Sequence, residues 1–119
     1  MRKLHLLFCI FFILTISIVS AKFPKIISLS PYITEIIFEL ESADHLIAVT
    51  EYCNRPIQAK NKTNIGGITN PNFEKILQLK PDLILATKED QSKDFIKKLR
   101  DLKFNVVVLD EAKSFEDIK

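Results

Sequence analysis

From Lys25 to Leu40 a short apolar run, Ile26-Ile27-Ser28-Leu29, closes on Ser30-Pro31 and gives way to apolar residues at helical spacing. Ile33, Ile36, Ile37 and Leu40 fall at i, i+3, i+4 and i+7, one face of a helix that must lie against a sheet. Pro31 suits the first helical position, where its missing N–H is not needed, and Ser30 before it is placed to cap the free amides. The pattern predicts strand, tight turn, helix, and ligands in α/β units meet the chain at such a turn, at the carboxyl end of the strand.

The grammar then repeats. Leu46 to Thr50 reads as a second buried strand, because an apolar run without alternation suits a parallel sheet covered on both faces. A polar loop follows from Glu51 to Asn64, with Ile57 and Ala59 enough for one helical turn. Ile65-Gly66-Gly67-Ile68 holds both glycines of the chain, where backbone freedom or close approach is wanted if the segment is more than an ordinary turn. Asn70-Pro71-Asn72 caps a helix with Phe73, Ile76 and Leu77 inward, and Lys80-Pro81 ends it. Leu83 to Thr87 is the third strand. Ser92 caps a helix with Phe95, Leu99 and Leu102 on one face and Lys93, Lys97, Lys98 and Arg100 on the other, a solvated surface. Val106 to Leu109 is the fourth strand, and Ser114 opens a further helix whose first turn runs into Lys119, so the sequence reads as a domain cut short or a lobe without its partner. Strands alternating with helices imply right-handed parallel crossovers and hence an open, mostly parallel α/β sheet flanked by helices, truncated after about four strands.

Residues 1–21 stand apart. Arg2 and Lys3 precede an apolar stretch that ends in Val19-Ser20-Ala21, with small residues at the cleavage positions of a secretory signal peptide. A membrane span would need roughly 20 apolar residues, and Thr15, Ser17 and Ser20 interrupt this one. A lipid anchor would need a cysteine after the small residues, whereas Cys9 sits early. The domain therefore covers residues 22–119. Of 17 lysines and arginines, Arg2 and Lys3 leave with the leader, so 15 face 15 carboxylates and no basic patch argues for nucleic acid. Cys53 and His45 are then the lone thiol and the lone imidazole. A histidine-rich metal site is excluded. A thiol nucleophile with an imidazole base would need these two together, yet a predicted strand separates them and no orienting carboxylate is specified. Cys53 and His45 therefore do not read as the pair of a thiol enzyme. Asn61-Lys62-Thr63 matches a glycosylation sequon by chance.

Four stretches in register carry a resemblance: Ile26 to Glu35, Ala48 to Asn54, Gly66 to Glu74 and Leu79 to Leu85. Over almost all of Lys25 to Lys119 they resemble the cobalamin and iron-siderophore substrate-binding proteins of ABC importers, and Glu51-Tyr52-Cys53-Asn54 leans toward the cobalamin branch. The resemblance implies a Rossmann-like N-terminal lobe of a two-lobed periplasmic receptor with a long helical backbone, the ligand lying between lobes and no resident cofactor. It implies a small-molecule chelate, cobalamin or a ferric siderophore, contacted by Ser30, Pro31, Tyr32 and Tyr52, with Ile68 where the family often carries an aromatic. It also implies an inner-membrane permease whose arginine pairs with Glu74. Residue by residue, Tyr52 otherwise reads as a loop tyrosine, while Glu74 and Glu35 are carboxylates in first turns, where the helix dipole favours them. The alternative is a truncated interaction module or gene remnant of such a receptor. Glu41 and Lys103 stand where the family has glycine just past a helix, so those helix ends should differ or be strained.

The leader generates the first expectation: amino-terminal sequencing of exported protein should begin at Lys22. Recovery of Met1 on a membrane-embedded chain would contradict it.

Overall fold

The computed structural model describes residues 2–7 and 23–110. Residues 2–7 are helical, and none of the described helices is long and apolar enough to cross a membrane. The rest of the expected leader and the helix expected from Ser114 lie outside the described residues.

Five strands, β1 (Ile26–Ser28), β2 (Leu46–Val49), β3 (Thr63–Asn64), β4 (Leu83–Thr87) and β5 (Val106–Leu109), form one sheet in the order β3-β2-β1-β4-β5, and every neighbouring pair is parallel. Three helices connect them: α1 (Pro31–Glu39), α2 (Phe73–Leu79) and α3 (Lys93–Asp101). The expected α/β sheet is present, with one strand more than the sequence suggested. Thr63 and Asn64 pair with Ala48 and Val49, but both are polar and exposed, so this edge strand is held by backbone bonds and leaves no apolar signal. The single helical turn expected near Ile57 and Ala59 is a 3-10 turn, Ile57–Asn61.

Alternation along the strands divides the core in two. Ile27, Leu29, Ile84 and Ala86 point to the face covered by Ile76 of α2 and by Ile96 and Leu99 of α3. Ile33 and Ile37 of α1 pack on the other face with Leu46, Val49 and Cys53. That second face is incompletely covered among the described residues: Val107 and Leu109 of β5 are 40% and 38% exposed.

Asn72 and Ser92 cap α2 and α3 as expected, accepting from Lys75 N at 3.0 Å and Phe95 N at 3.1 Å. Ser30 occupies the N-cap position of α1, with extended φ and ψ, but makes no side-chain cap bond, contrary to expectation. Its carbonyl closes the turn instead, accepting from Ser28 Oγ at 2.9 Å and Thr34 N at 3.0 Å. The apolar periodicity also overran two helices. Leu40 and Leu102, placed on buried faces, are 70% and 49% exposed because each is the C-cap residue where the chain turns away; Ile96, not predicted, is buried.

Those turns follow from Glu41 and Lys103, which adopt φ of 56° and 70° in place of the glycine that this left-handed conformation favours. After α1, Ser42 N reaches Ile37 O and Glu41 N reaches Phe38 O, each at 3.0 Å. After α3, Phe104 N reaches Leu99 O at 3.2 Å and Lys103 N reaches Arg100 O at 2.9 Å. Both are complete Schellman closures, so the hydrogen bonds are kept and the strain sits on the Cβ of one residue. Glu41→Gly and Lys103→Gly should therefore each stabilise the domain by about 1 kcal/mol, raising its thermal midpoint by about 4–8 °C. Unchanged midpoints in both variants would show that the side chains repay the strain by contacts of their own.

Candidate ligand-binding edge

All strand ends that carry loops toward α1, the Tyr52 turn and α3 lie on the carboxyl edge of the sheet. The chain leaves β1 toward β2 on one side, while β4 leads to β5 on the other, so the connections diverge between β1 and β4. At such a switch point an open α/β sheet leaves a crevice for ligands.

Beneath the edge lies a knot of small polar side chains, all between 0% and 2% exposed: Ser28, Ser30, Thr34, Thr50 and Cys53. Thr34 Oγ1 sits 2.8 Å from Ser28 Oγ, 3.0 Å from Ser30 O and 3.2 Å from Cys53 Sγ, so its one proton and its lone pairs are all within reach of partners. Thr50 Oγ1 lies 3.2 Å from the same sulfur. The thiol is thus a structural member of the knot. His45 belongs to the 3-10 turn Ala43–His45 that precedes β2, at the opposite end of the strand from Cys53, and does not serve it as a base.

The knot holds a tight turn in which Cys53 N donates to Thr50 O at 3.1 Å and Asn54 N to Tyr52 O at 3.0 Å. With Cys53 pulled inward, Tyr52 is carried outward and is 61% exposed. Glu51 N donates to Gly66 O at 2.8 Å, tying this turn to the double glycine. Gly66, with φ of 97°, is the glycine that needs to be one; a Cβ on Gly67 would meet only ordinary contacts. Ile68 follows, half-buried, and its carbonyl accepts from Gln91 Nε2 at 3.1 Å.

The residues singled out in the sequence accordingly fall in two places. Pro31 and Tyr32 are half-buried at the start of α1, with Tyr32 packed against the cluster of Ile33 and Val49; Ser30 is fully buried below them. These three, Tyr52 and Ile68 all belong to loops on the carboxyl edge. Glu74 is elsewhere, exposed in the first turn of α2. Next to it Phe73 lies edge-on to Phe95 at 6.4 Å and under Lys98 Nζ at 4.1 Å, so one of the lysines read as merely solvated covers an aromatic ring. Lys97 pairs with Asp101 at 2.8 Å, and that hydrogen bond holds its ammonium above the ordinary lysine range.

A recess of about 570 Å³ among Glu35, Phe38, Glu39, Arg55, Pro56 and Gln58 contains none of the carboxyl-edge residues. A second recess, of about 490 Å³, does reach that edge, where Thr87, Lys88 and Gln91 face Lys93, Ile96 and Lys97 of α3. Among the described residues no group of three or more His, Cys, Asp or Glu side chains is placed to hold a metal ion. Gln91 and Thr34 escaped the sequence reading. Thr34 could have been found, as a hydroxyl between Ile33 and Ile37 on the inward face of α1, whereas Gln91 lies in a polar loop that gives no hint of burial.

The profile of the periplasmic binding protein family matches residues 26–119, and the chain belongs to that family. A vitamin B12-binding protein of Vibrio cholerae is 39% identical over 108 residues, which are 89% of this chain and 39% of that protein. An uncharacterized ABC transporter substrate-binding lipoprotein of Bacillus subtilis, YvrC, is 38% identical over 96 residues, 79% of this chain and 30% of the relative. Among solved structures, the periplasmic vitamin B12 binding protein BtuF of Vibrio cholerae superposes with a TM-score of 0.67 at 40% identity, covering 71% of this chain and 33% of that one. The apo form of the periplasmic heme-binding protein RhuT from Roseiflexus sp. RS-1 superposes at 0.71 with 25% identity, over 76% and 35%. The chain spans about two fifths of the length of the first of these relatives.

Burial of Cys53 generates an expectation for solution. In the chain from Lys22 on, where Cys53 is the one thiol, a thiol reagent should modify the native protein only at the rate of unfolding or local opening, and at once in denaturant. Complete modification of native protein within the mixing time would show that the Tyr52 turn is open.

Proposed function

We propose that this chain is the N-terminal lobe of an exported, periplasmic receptor that binds a corrinoid and delivers it to the permease of an ABC importer. The 39% identity to a protein named for vitamin B12, extending over 89% of the chain, is the observation that supports this ligand over the other chelates of the family. The carboxyl edge offers suitable chemistry. Tyr52 presents a flat ring with a polar tip, on which a large planar ligand can rest, and its turn is braced from below. Pro31, Tyr32 and Ile68 complete the rim, with Ser30 supporting them from beneath. Ile68 supplies apolar contact where an aromatic would stack. Ferric siderophores and heme are the competing ligands, and they meet the same rim.

Glu74 serves docking rather than ligand binding in this reading. Its carboxylate is exposed on α2, the helix leading into β4, and is available to an arginine of the permease. The pair adds about 1 kcal/mol or less if it stays solvated, and more if docking desolvates it.

A single lobe supplies one side of a cleft, so affinity for the 119-residue chain should be poor. Losing about half the contacts costs several powers of ten at about 1.4 kcal/mol each. Titration of labelled protein with cyanocobalamin, followed by NMR, should give a dissociation constant weaker than about 10 μM, with shifts confined to the loops of Tyr32, Tyr52 and Ile68. Tyr52→Ala should weaken binding further while Glu74→Ala leaves it unchanged. In cells that depend on the receptor for cobalamin uptake, at limiting receptor and low salt, Glu74→Ala should lower transport. Heme in place of cyanocobalamin as the tighter ligand would reject the corrinoid assignment, and normal transport by Glu74→Ala would reject the docking one.

A further inference from the structure

The crevice between β1 and β4 is bridged by one side chain. Gln91, 5% exposed, accepts from Thr87 N at 3.0 Å through Oε1 and donates through Nε2 to Leu29 O at 2.8 Å and Ile68 O at 3.1 Å. A backbone N–H on one side and two carbonyls on the other fix which end of the amide is which. Few side chains could take its place: glutamate keeps the acceptor but loses both donors, an apolar side chain loses all three bonds, and asparagine is one methylene short.

The amide is itself held firmly. Thr87 Oγ1 donates to Asp90 Oδ2 at 3.0 Å and accepts from Asp90 N at 3.3 Å, while Gln91 N reaches Thr87 O at 3.4 Å. The next residue, Ser92, caps α3. A rigid loop on β4 therefore reaches across the crevice and takes hold of two others. Leu29 leads directly into Ser30, Pro31 and Tyr32, and Ile68 ends the double-glycine loop, which Glu51 N in turn links to the Tyr52 turn.

We infer that Gln91 is a positioning residue for ligand recognition: it fixes the separation between the Pro31–Tyr32 turn and Ile68, and so sets the width of the opening that a planar ligand must enter. This rests on the corrinoid-receptor reading above. Gln91 acts through the backbone of its neighbours and not by touching ligand.

The test compares Gln91→Glu and Gln91→Met with a core control, Ile76→Val, in the 119-residue chain. Without ligand, the NMR signals of residues 30–32 and 66–69 should move in both Gln91 variants and stay in place in the control. In Gln91→Glu the Thr87 amide should remain protected, since its acceptor is kept. Cyanocobalamin, with hemin as second probe, should then bind the Gln91 variants about tenfold more weakly or worse, since at least two of the bonds that hold the rim are lost and its loops must be ordered on binding, while the control binds as the parent does. Unmoved loop signals overturn the inference whatever the ligand, and so does parental affinity in variants whose loops have moved. Failure of the parent to bind either probe is a different result, visible before any substitution. It concerns the affinity of a single lobe and not Gln91, and the loop signals then decide alone whether Gln91 sets the opening.

Discussion

The packing of five small polar groups into a dry space under the carboxyl edge is the constraint on which the rest depends. Ser28, Ser30, Thr34, Thr50 and Cys53 are removed from water, and a buried hydroxyl without a partner costs about 1–3 kcal/mol. The bonds among Ser28, Thr34, Thr50, Cys53 and the Ser30 carbonyl form only if the turn after β1 and the loop after β2 stand at one separation. Thr34 is the hinge pin of that arrangement, since its hydroxyl meets Ser28 and Ser30 on its own side and Cys53 on the other. The two loops are consequently one rigid body. An apolar filling would hold them together as well, but without directional bonds it would not fix their register.

Rigidity below permits exposure above. A tyrosine ring that is mostly in water has little packing to orient it, and in a loose loop it would lose much of its worth as a binding surface through ordering on contact. Here Cys53, directly after Tyr52, is sunk into the knot, and Glu51, directly before it, is bonded to Gly66. The neighbours on both sides are pinned, so the ring is held out without being covered. The carboxylate proposed for docking is placed differently. Glu74 rides on the first turn of a seven-residue helix whose cap, Asn72, is complete, away from the loops that carry Tyr32 and Tyr52. Surface charge and ligand rim can therefore change independently.

How much of this was legible depended on whether hydrophobic pattern was the deciding physics. Leu83 to Thr87 was bounded correctly because a buried parallel strand is apolar from end to end, and Leu46 to Val49 was found to within one residue for the same reason. Thr63–Asn64 was missed because an edge strand of two polar residues owes its existence to backbone bonds to β2. Leu40 and Leu102 were placed inward because periodicity says nothing about where a helix stops. The stops were nevertheless foreseeable in kind, since Glu41 and Lys103 were recognised as standing at glycine positions. On the candidate edge, the loops were located from the turn after β1 and from the family resemblance. The bonds that join them were not, because the partners of Gln91 are carbonyls and an amide whose positions only the folded chain defines.

The distribution of strain follows from the same geometry. In a sheet wound with parallel strands and returning helices, every helix ends at the amino edge, opposite the ligand edge. Among the described residues, all three positive-φ residues other than glycine lie there: Glu41, Lys80 and Lys103 each terminate a helix and lead toward β2, β4 and β5. Each conformation of this kind costs a non-glycine residue on the order of 1 kcal/mol, and that cost falls on stability alone, because the Schellman bonds after α1 and α3 still form and Lys25 Nζ satisfies Leu79 O at the end of α2. On the carboxyl edge, among the described residues, the one positive φ belongs to Gly66, where no Cβ is present to resist it. A side chain there would be strained by that backbone conformation, beside Asn72 N, whose bond to Ile65 O closes the loop carrying Ile68. Departures from glycine are thus tolerated where they only weaken the domain and are absent where they would move the rim.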